Sequence, residues 1–138
     1  MSTAASDTMI PIVVVGAHLT GLPLNHELSG AGGQMLKAAR TAPDYRLFAL
    51  ANTVPPKPGM VREPGFAGPG LEVEVWALPA HEFGRFVAKI PAPLGIGKVT
   101  LEDGTSHSGF LCEAYAVASA TEVTSFGGWR AFVKSLAG

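Results

Sequence analysis

Val13-Val14-Val15-Gly16-Ala17-His18-Leu19-Thr20-Gly21-Leu22-Pro23-Leu24-Asn25-His26-Glu27-Leu28 joins an apolar β-branched run to a polar turn carrying two histidines and an asparagine. β-Branched side chains fit a pleated, buried strand. A run with no polar position is expected at the centre of a sheet, covered on both faces. Gly16 and Gly21 allow a sharp turn and close approach of backbone to a ligand. The stretch therefore reads as a rigid strand that delivers a functional loop at the edge of the core.

Outward from this strand, residues 34–41 read as a helix, because Met35, Leu36, Ala38 and Ala39 recur at helical spacing before Pro43. Residues 45–50 read as a second strand. Residues 52–69 form a proline- and glycine-rich loop with a short strand at Met60-Val61-Arg62. Residues 71–78 alternate, with Leu71, Val73, Val75 and Ala77 on the apolar face and Glu72, Glu74 and Trp76 opposite. Residues 79–89 read as a helix with Phe83, Phe86, Val87 and Ile90 toward the core. Residues 91–97 are a stiff turn, and 99–101 with 108–118 a hairpin around Asp103-Gly104. Thr124 or Ser125 is placed to cap a final helix at about residues 128–136, with Trp129, Phe132 and Val133 inward. Mostly antiparallel strands with few helices indicate an α+β domain.

The 138 residues, 47% hydrophobic and 15% charged, suit one globular domain with a real core. Residues 1–9 are expected to be a disordered leader and 10–138 a single domain. A net charge of −1 supplies no basic field for nucleic acid. No apolar run reaches the ~20 residues that a bilayer requires, so no membrane partner is expected. Cys112 is the only cysteine, which excludes an internal disulfide and suits a reducing cytoplasm. Four scattered histidines give no ligand-spaced cluster, so neither metal nor cofactor is expected.

The candidate chemistry lies around the first loop. Histidine as a residue type titrates near neutrality, so either His18 or His26 is a candidate to move a proton. The alternative is one exposed loop histidine and one bonded to backbone. His81 and His107 read as surface residues. The amides of Gly16, Ala17, His18 and Leu19 can form an anion-binding concavity, or an ordinary turn. Asn25 can donate to a carboxylate or cap a helix. Lys57, held between prolines, can pair with a small anionic substrate or point into solvent. Glu113 and Tyr115 share a strand face with Leu111 and Val117, so Glu113 sits on a wet face or in a pocket that raises its pKa.

A glycine after the first strand, the Asn25-His26 pair and the strand Tyr45-Arg46-Leu47 resemble the γ-glutamylcyclotransferase-like fold. That fold is a small, mostly antiparallel β-barrel flanked by helices. Its ligand loop usually reads Tyr-Gly-Ser/Thr-Leu. Here Val15-Gly16-Ala17-His18-Leu19 lacks the tyrosine and the hydroxyl. Closer is the C-terminal domain of allophanate hydrolase. That resemblance rests on Gly16-Ala17-His18-Leu19, Pro23-Leu24-Asn25-His26, Arg40-Thr41-Ala42-Pro43-Asp44-Tyr45-Arg46-Leu47, Pro56-Lys57-Pro58-Gly59, Val73-Glu74-Val75-Trp76, Ile90-Pro91-Ala92-Pro93-Leu94-Gly95-Ile96-Gly97, Gly109-Phe110-Leu111-Cys112-Glu113-Ala114-Tyr115 and Phe126-Gly127-Gly128-Trp129-Arg130.

The resemblance implies breakdown, by decarboxylation, of N-carboxycarbamate in urea and allophanate catabolism, beside a separate amidase. On this reading the chain is a free-standing copy of the domain, with His18, His26 and Glu113 as catalytic candidates. It also implies a pocket wall from Pro91 to Gly97 and a role for Tyr115, which matches a recurrent tyrosine of the wider fold. The second reading is a non-catalytic module that holds an amidase in a homo-oligomer through Trp129 and Phe132, or binds a small metabolite. Cyclotransferases carry a general acid/base glutamate where this chain has Ile90-Pro91-Ala92-Pro93. The purified protein is therefore expected to show no turnover of γ-glutamyl substrates, and a robust rate of cyclic product release would contradict this.

Overall fold

A computed structural model describes residues 8–137. Strand β1 (Met9–Val14) lies in the middle of a five-stranded sheet of order β2-β5-β1-β7-β6. It runs antiparallel to β5 (Glu72–Pro79), with Val13 opposite Val75, and parallel to β7 (Ser106–Cys112), with Val13 opposite Gly109. Ile12, Val13, Val14 and Val15 are between 0% and 3% exposed, so the expected central placement is what the chain adopts. Gly109 permits the parallel contact, because a Cβ there would meet Val13 Cβ and Val99 Cγ2, each at 2.8 Å. A second sheet, of order β4-β3-β8, contains β3 (Tyr45–Ala49), β4 (Pro58–Arg62) and β8 (Thr121–Glu122).

Residues 34–40 are a strand, not the expected helix. β2 (Gln34–Arg40) pairs antiparallel with β5 at the sheet edge and bulges between Met35 and Lys37. Met35 and Leu36 are 41% and 53% exposed, and of the four residues at helical spacing only Ala39 packs against the core. The free edge of β5 supplied backbone partners, and pairing overrode local propensity. Nor does β5 alternate between a buried and a wet face. Residues 73–78 are all buried, Glu74 and Trp76 included, because both faces of this strand are covered.

Helix α1 (His26–Ser29) is a single turn, and α2 (Ala80–Ala88) follows β5 directly with Pro79 as its N-cap. Phe83, Phe86 and Ile90 of the predicted stripe pack on the core, whereas Val87 is not among the residues packed there. β6 (Leu94–Thr100) already begins at Leu94, so only the first part of the expected 91–97 turn is a turn. β7 ends at Cys112, and α3 (Ala114–Val117) replaces the expected long hairpin arm. Glu113, Tyr115 and Val117 therefore share no strand face.

A 3-10 turn (Thr124–Phe126) precedes α4 (Trp129–Ala137). Thr124 does not cap that helix. Its Oγ1 accepts from Leu47 N at 2.9 Å and donates to Glu122 at 2.8 Å, locking β3 to β8. Trp129 is 2% exposed within the core, which removes it from the expected interface. The leader expectation lies outside the described residues except at its end. There Thr8 accepts from Ala80 N and Met9 opens β1.

The edges of the large sheet approach one another through a single bridge, Thr41 to Leu101, flanked by Ala42 N to Thr100 O and Glu102 N to Arg40 O. Tyr45, fully buried, adds its hydroxyl as acceptor for Thr100 N at 2.8 Å. The architecture is α+β, but the strands form no closed barrel among the described residues. No described helix is long and apolar enough to cross a membrane.

Glu74 binds this architecture to the loop after β1. Its Oε1 accepts from Thr20 N (2.9 Å), Thr20 Oγ1 (2.8 Å) and Trp76 Nε1 (3.0 Å), while Arg130 of α4 donates to Oε2 at 3.3 Å. Burial pushes this carboxyl up, but the bonds from Trp76, Thr20 and Arg130 outweigh it and hold the pKa below the ordinary value. A carboxylate held low contributes stability that is complete above its unfolded value and is lost as pH falls through the folded one. Thermal melts should therefore fall as pH drops below about 4, and more steeply in the wild type than in Glu74→Gln. Glu74→Ala should lose about 3–5 kcal/mol in urea unfolding, as expected when one partner leaves a buried charged network. A loss no larger than the ~1 kcal/mol of a surface ion pair would contradict the assignment.

Candidate functional site

The loop after β1 turns back on itself through its own backbone. Leu19 N donates to Gly16 O at 3.0 Å, and Leu24 N to Ala17 O at 2.8 Å. Asn25 Nδ2 donates to His18 O at 2.8 Å, so Asn25 braces the loop and makes no side-chain cap on α1. Gly16 packs against the Pro58 ring, leaving no room for a Cβ. The loop is pinned on the other side by Thr20, through Glu74 and through Arg130 Nη2, which donates to Thr20 O at 2.8 Å.

This loop forms one wall of a cavity of about 490 Å³. Of the residues singled out from sequence, Gly16, Ala17, His18, His26, Lys57 and Pro91 line it. Pro91 and Leu94 thus stand beside the loop, as the wall expectation has it, whereas Gly97 lies farther along β6, opposite Gly109. Leu19 is fully buried in the core, and its amide is already used. The amides of Ala17 and His18 have no acceptor among the described residues. Glu113 is exposed and Tyr115 is 66% exposed, both away from this cavity, because β7 ends before them. His81 is exposed and His107 half-buried, and neither lines the cavity.

His18 is a half-buried titratable group of the site. Its side chain is 14% exposed, and Nε2 lies 2.8 Å from Glu27 Oε1. The ring stacks on Phe110, with centroids 5.2 Å apart, and meets Phe86 edge-on at 5.0 Å. Burial between these rings lowers the His18 pKa, and the Glu27 carboxylate opposes the shift without cancelling it. The free protein therefore favours neutral His18. His26 is exposed, and its Nδ1 donates to Pro23 O at 2.9 Å, which is the backbone-bonded alternative read from sequence.

Several lining residues escaped the sequence reading: Glu27, Glu82, Arg85, Lys89, Phe86 as a wall and Phe110. Arg85 and Lys89 are four residues apart on α2, which places them on one helix face. That spacing was visible, but a polar helix face ordinarily meets solvent. Together with Lys57 they place three cations around the cavity, and none has an ion-pair partner among the described residues. The Lys57 backbone is fixed by Leu50 N to Lys57 O at 2.9 Å and Lys57 N to Thr53 Oγ1 at 3.0 Å. No group of three or more His, Cys, Asp or Glu able to hold a metal is found among the described residues. The arrangement can bind a small anion of high charge beside a desolvated imidazole.

Residues 10–134 match the family model of the allophanate hydrolase C-terminal domain. The chain is 40% identical over 132 residues to urea amidolyase of Saccharomyces cerevisiae, covering 94% of this chain and 7% of that protein. It thus spans a small fraction of the curated relative it matches. Kluyveromyces lactis allophanate hydrolase superposes with a TM-score of 0.88 at 36% identity, over 94% of this chain and 22% of that one. The uropathogenic E. coli-specific protein c4763 superposes with a TM-score of 0.82 at 34% identity, over 92% of this chain and 97% of that one.

Removing one aromatic wall should let water reach the imidazole. Phe86→Ala is expected to raise the His18 pKa toward its ordinary value, followed by NMR titration of the ring beside a thermal melt. An unchanged or lower value in the folded variant would show that burial between the rings is not the cause.

Proposed function

The chain belongs to the allophanate hydrolase C-terminal domain family, and from that premise we propose that it decarboxylates N-carboxycarbamate, the product of amide hydrolysis of allophanate. It would act beside a separate amidase in urea and allophanate catabolism. The observation that carries this reading is the juxtaposition of His18, neutral and walled by phenylalanines, with the unpaired cations Lys57, Arg85 and Lys89 around one cavity. The proposed substrate has two carboxylates on one nitrogen. Three cations and the open amides of Ala17 and His18 suit both carboxylates.

In the reaction one carbon–nitrogen bond breaks, carbon dioxide departs, and the bonding electron pair stays on nitrogen. That nitrogen must take a proton, leaving carbamate. His18 is the group placed to supply it. A bound dianion raises the imidazole pKa, opposing the effect of burial, so substrate itself brings the donor form into being. The departing carbon dioxide is neutral and apolar, and Phe86, Ile90, Leu94 and Phe110 offer it apolar walls. His26, bonded to Pro23 O, has a weaker claim to the proton.

The expected outcome for His18→Ala is a loss of turnover of ~10²–10⁴-fold, the usual contribution of general acid catalysis, with an unchanged melt. Carbon dioxide release is followed with amidase-generated substrate. Wild-type turnover in the folded variant would remove His18 from the mechanism.

A further inference from the structure

His18 has one ring nitrogen in use and one without a protein partner. Nε2 lies against Glu27 Oε1 at 2.8 Å. Nδ1 has no partner among the described residues. It is also not sealed from solvent, since the partnerless buried side-chain atoms are Asp44 Oδ1 and Arg46 Nε. The segments carrying His18 and Glu27 are held together independently of this contact. Leu24 N donates to Ala17 O at 2.8 Å, Asn25 Nδ2 donates to His18 O at 2.8 Å, and Glu27 N donates to Leu24 O at 3.0 Å. The loop's own bonding thus brings a carboxylate from α1 to a ring that follows β1.

We propose that Glu27 is a positioning residue for His18: it holds the neutral ring with its hydrogen on Nε2, leaving Nδ1 as the atom that takes up and delivers the proton. A carboxylate accepts only, so it selects the tautomer that donates to it. The proposal rests on the decarboxylation reading for its chemistry. Nδ1 takes a proton from solvent to give the imidazolium, then passes it to the substrate nitrogen as the carbon–nitrogen bond breaks and carbon dioxide leaves. The ring returns to its neutral form with Nε2–H still on Glu27, and one solvent proton is consumed per carbon dioxide released.

The charged and titratable groups that line the cavity with the ring are Glu27 and His26 from α1, Glu82 and Arg85 from α2, Lys89 directly after it, and Lys57 before β4. Of these, Glu27 favours imidazolium and any charge on His26 disfavours it. Glu27 is the one bonded to the ring.

The test compares the whole wild-type chain with Glu27→Gln by nitrogen-15 NMR of the His18 ring across pH, and by carbon dioxide release with amidase-generated substrate. The wild type is expected to show the Nε2–H tautomer. Glu27→Gln should populate the Nδ1–H form and titrate at lower pH. Its kcat should fall by roughly 10²-fold, at the low end for general acid–base catalysis, with KM changed by less than about twofold. Because the donor is the protonated ring, activity is present below its pKa and lost as pH rises through it, so the variant should lose activity at lower pH. The same tautomer and pKa in both proteins would overturn the proposal. A wild type that releases no carbon dioxide, but whose Nε2–H form is lost in Glu27→Gln, would support the tautomer assignment and overturn the decarboxylation reading instead.

Discussion

Glu74 is a carboxylate inside the main sheet, and three parts of the chain meet on it. β5 presents it, the loop after β1 reaches it through Thr20 N and Oγ1, and α4 reaches it through Arg130. Trp76 Nε1, two residues along the same strand, supplies a further bond. A buried carboxylate left unpaired would be strongly unfavourable, so this position demands all of its donors at once. The demand fixes where Thr20 must stand, and with it the end of the preceding loop, whose Gly16, Ala17 and His18 line the cavity. Arg130 also pairs with Glu72 and donates to Thr20 O, so one guanidinium joins the final helix, β5 and the loop. Placement of the candidate site is in this sense an electrostatic consequence of one residue in the sheet.

Around His18 two effects oppose each other, and burial prevails. The phenylalanine walls withdraw water from the imidazole, which disfavours its charged form, and Glu27 partly restores it. The cations Lys57, Arg85 and Lys89 add no favourable partner for imidazolium, but on the proposed function they would attract the anion that provides one. On the proposed function, an anion filling the cavity would shift this group toward its protonated form. Such coupling needs no moving part, because the field of a bound anion acts directly on a ring that solvent screens poorly.

Much of the frame was legible in the chain itself. The run from Ile12 to Val15 has no polar position, and a segment of that kind has nowhere to lie but the middle of a covered sheet. The loop that follows it was readable for the same reason, as were His18, His26, Lys57 and Pro91 at the cavity. The α2 stripe was legible because helical periodicity and burial coincide there. Residues 34–40 failed the same test. Their apolar spacing was genuine, but the deciding force was the unpaired edge of β5, about 41 residues downstream by the register of Met35 with Trp76. Glu113 and Tyr115 were misplaced because nothing local marks the end of β7 at Cys112.

The sequence by itself determined the family, the α+β class, the central strand and the histidine-bearing loop, since each depends on local pattern or on contiguous motifs. Only the tertiary structure decided that Glu74 and Trp76 are buried, that Glu27 meets His18, and that Arg85 and Lys89 turn with Lys57 toward one cavity. Those pairings join residues that periodicity treats as solvent-facing. Whether a charged side chain meets water or another charge depends on which distant element covers it, and that is a property of the packed chain alone.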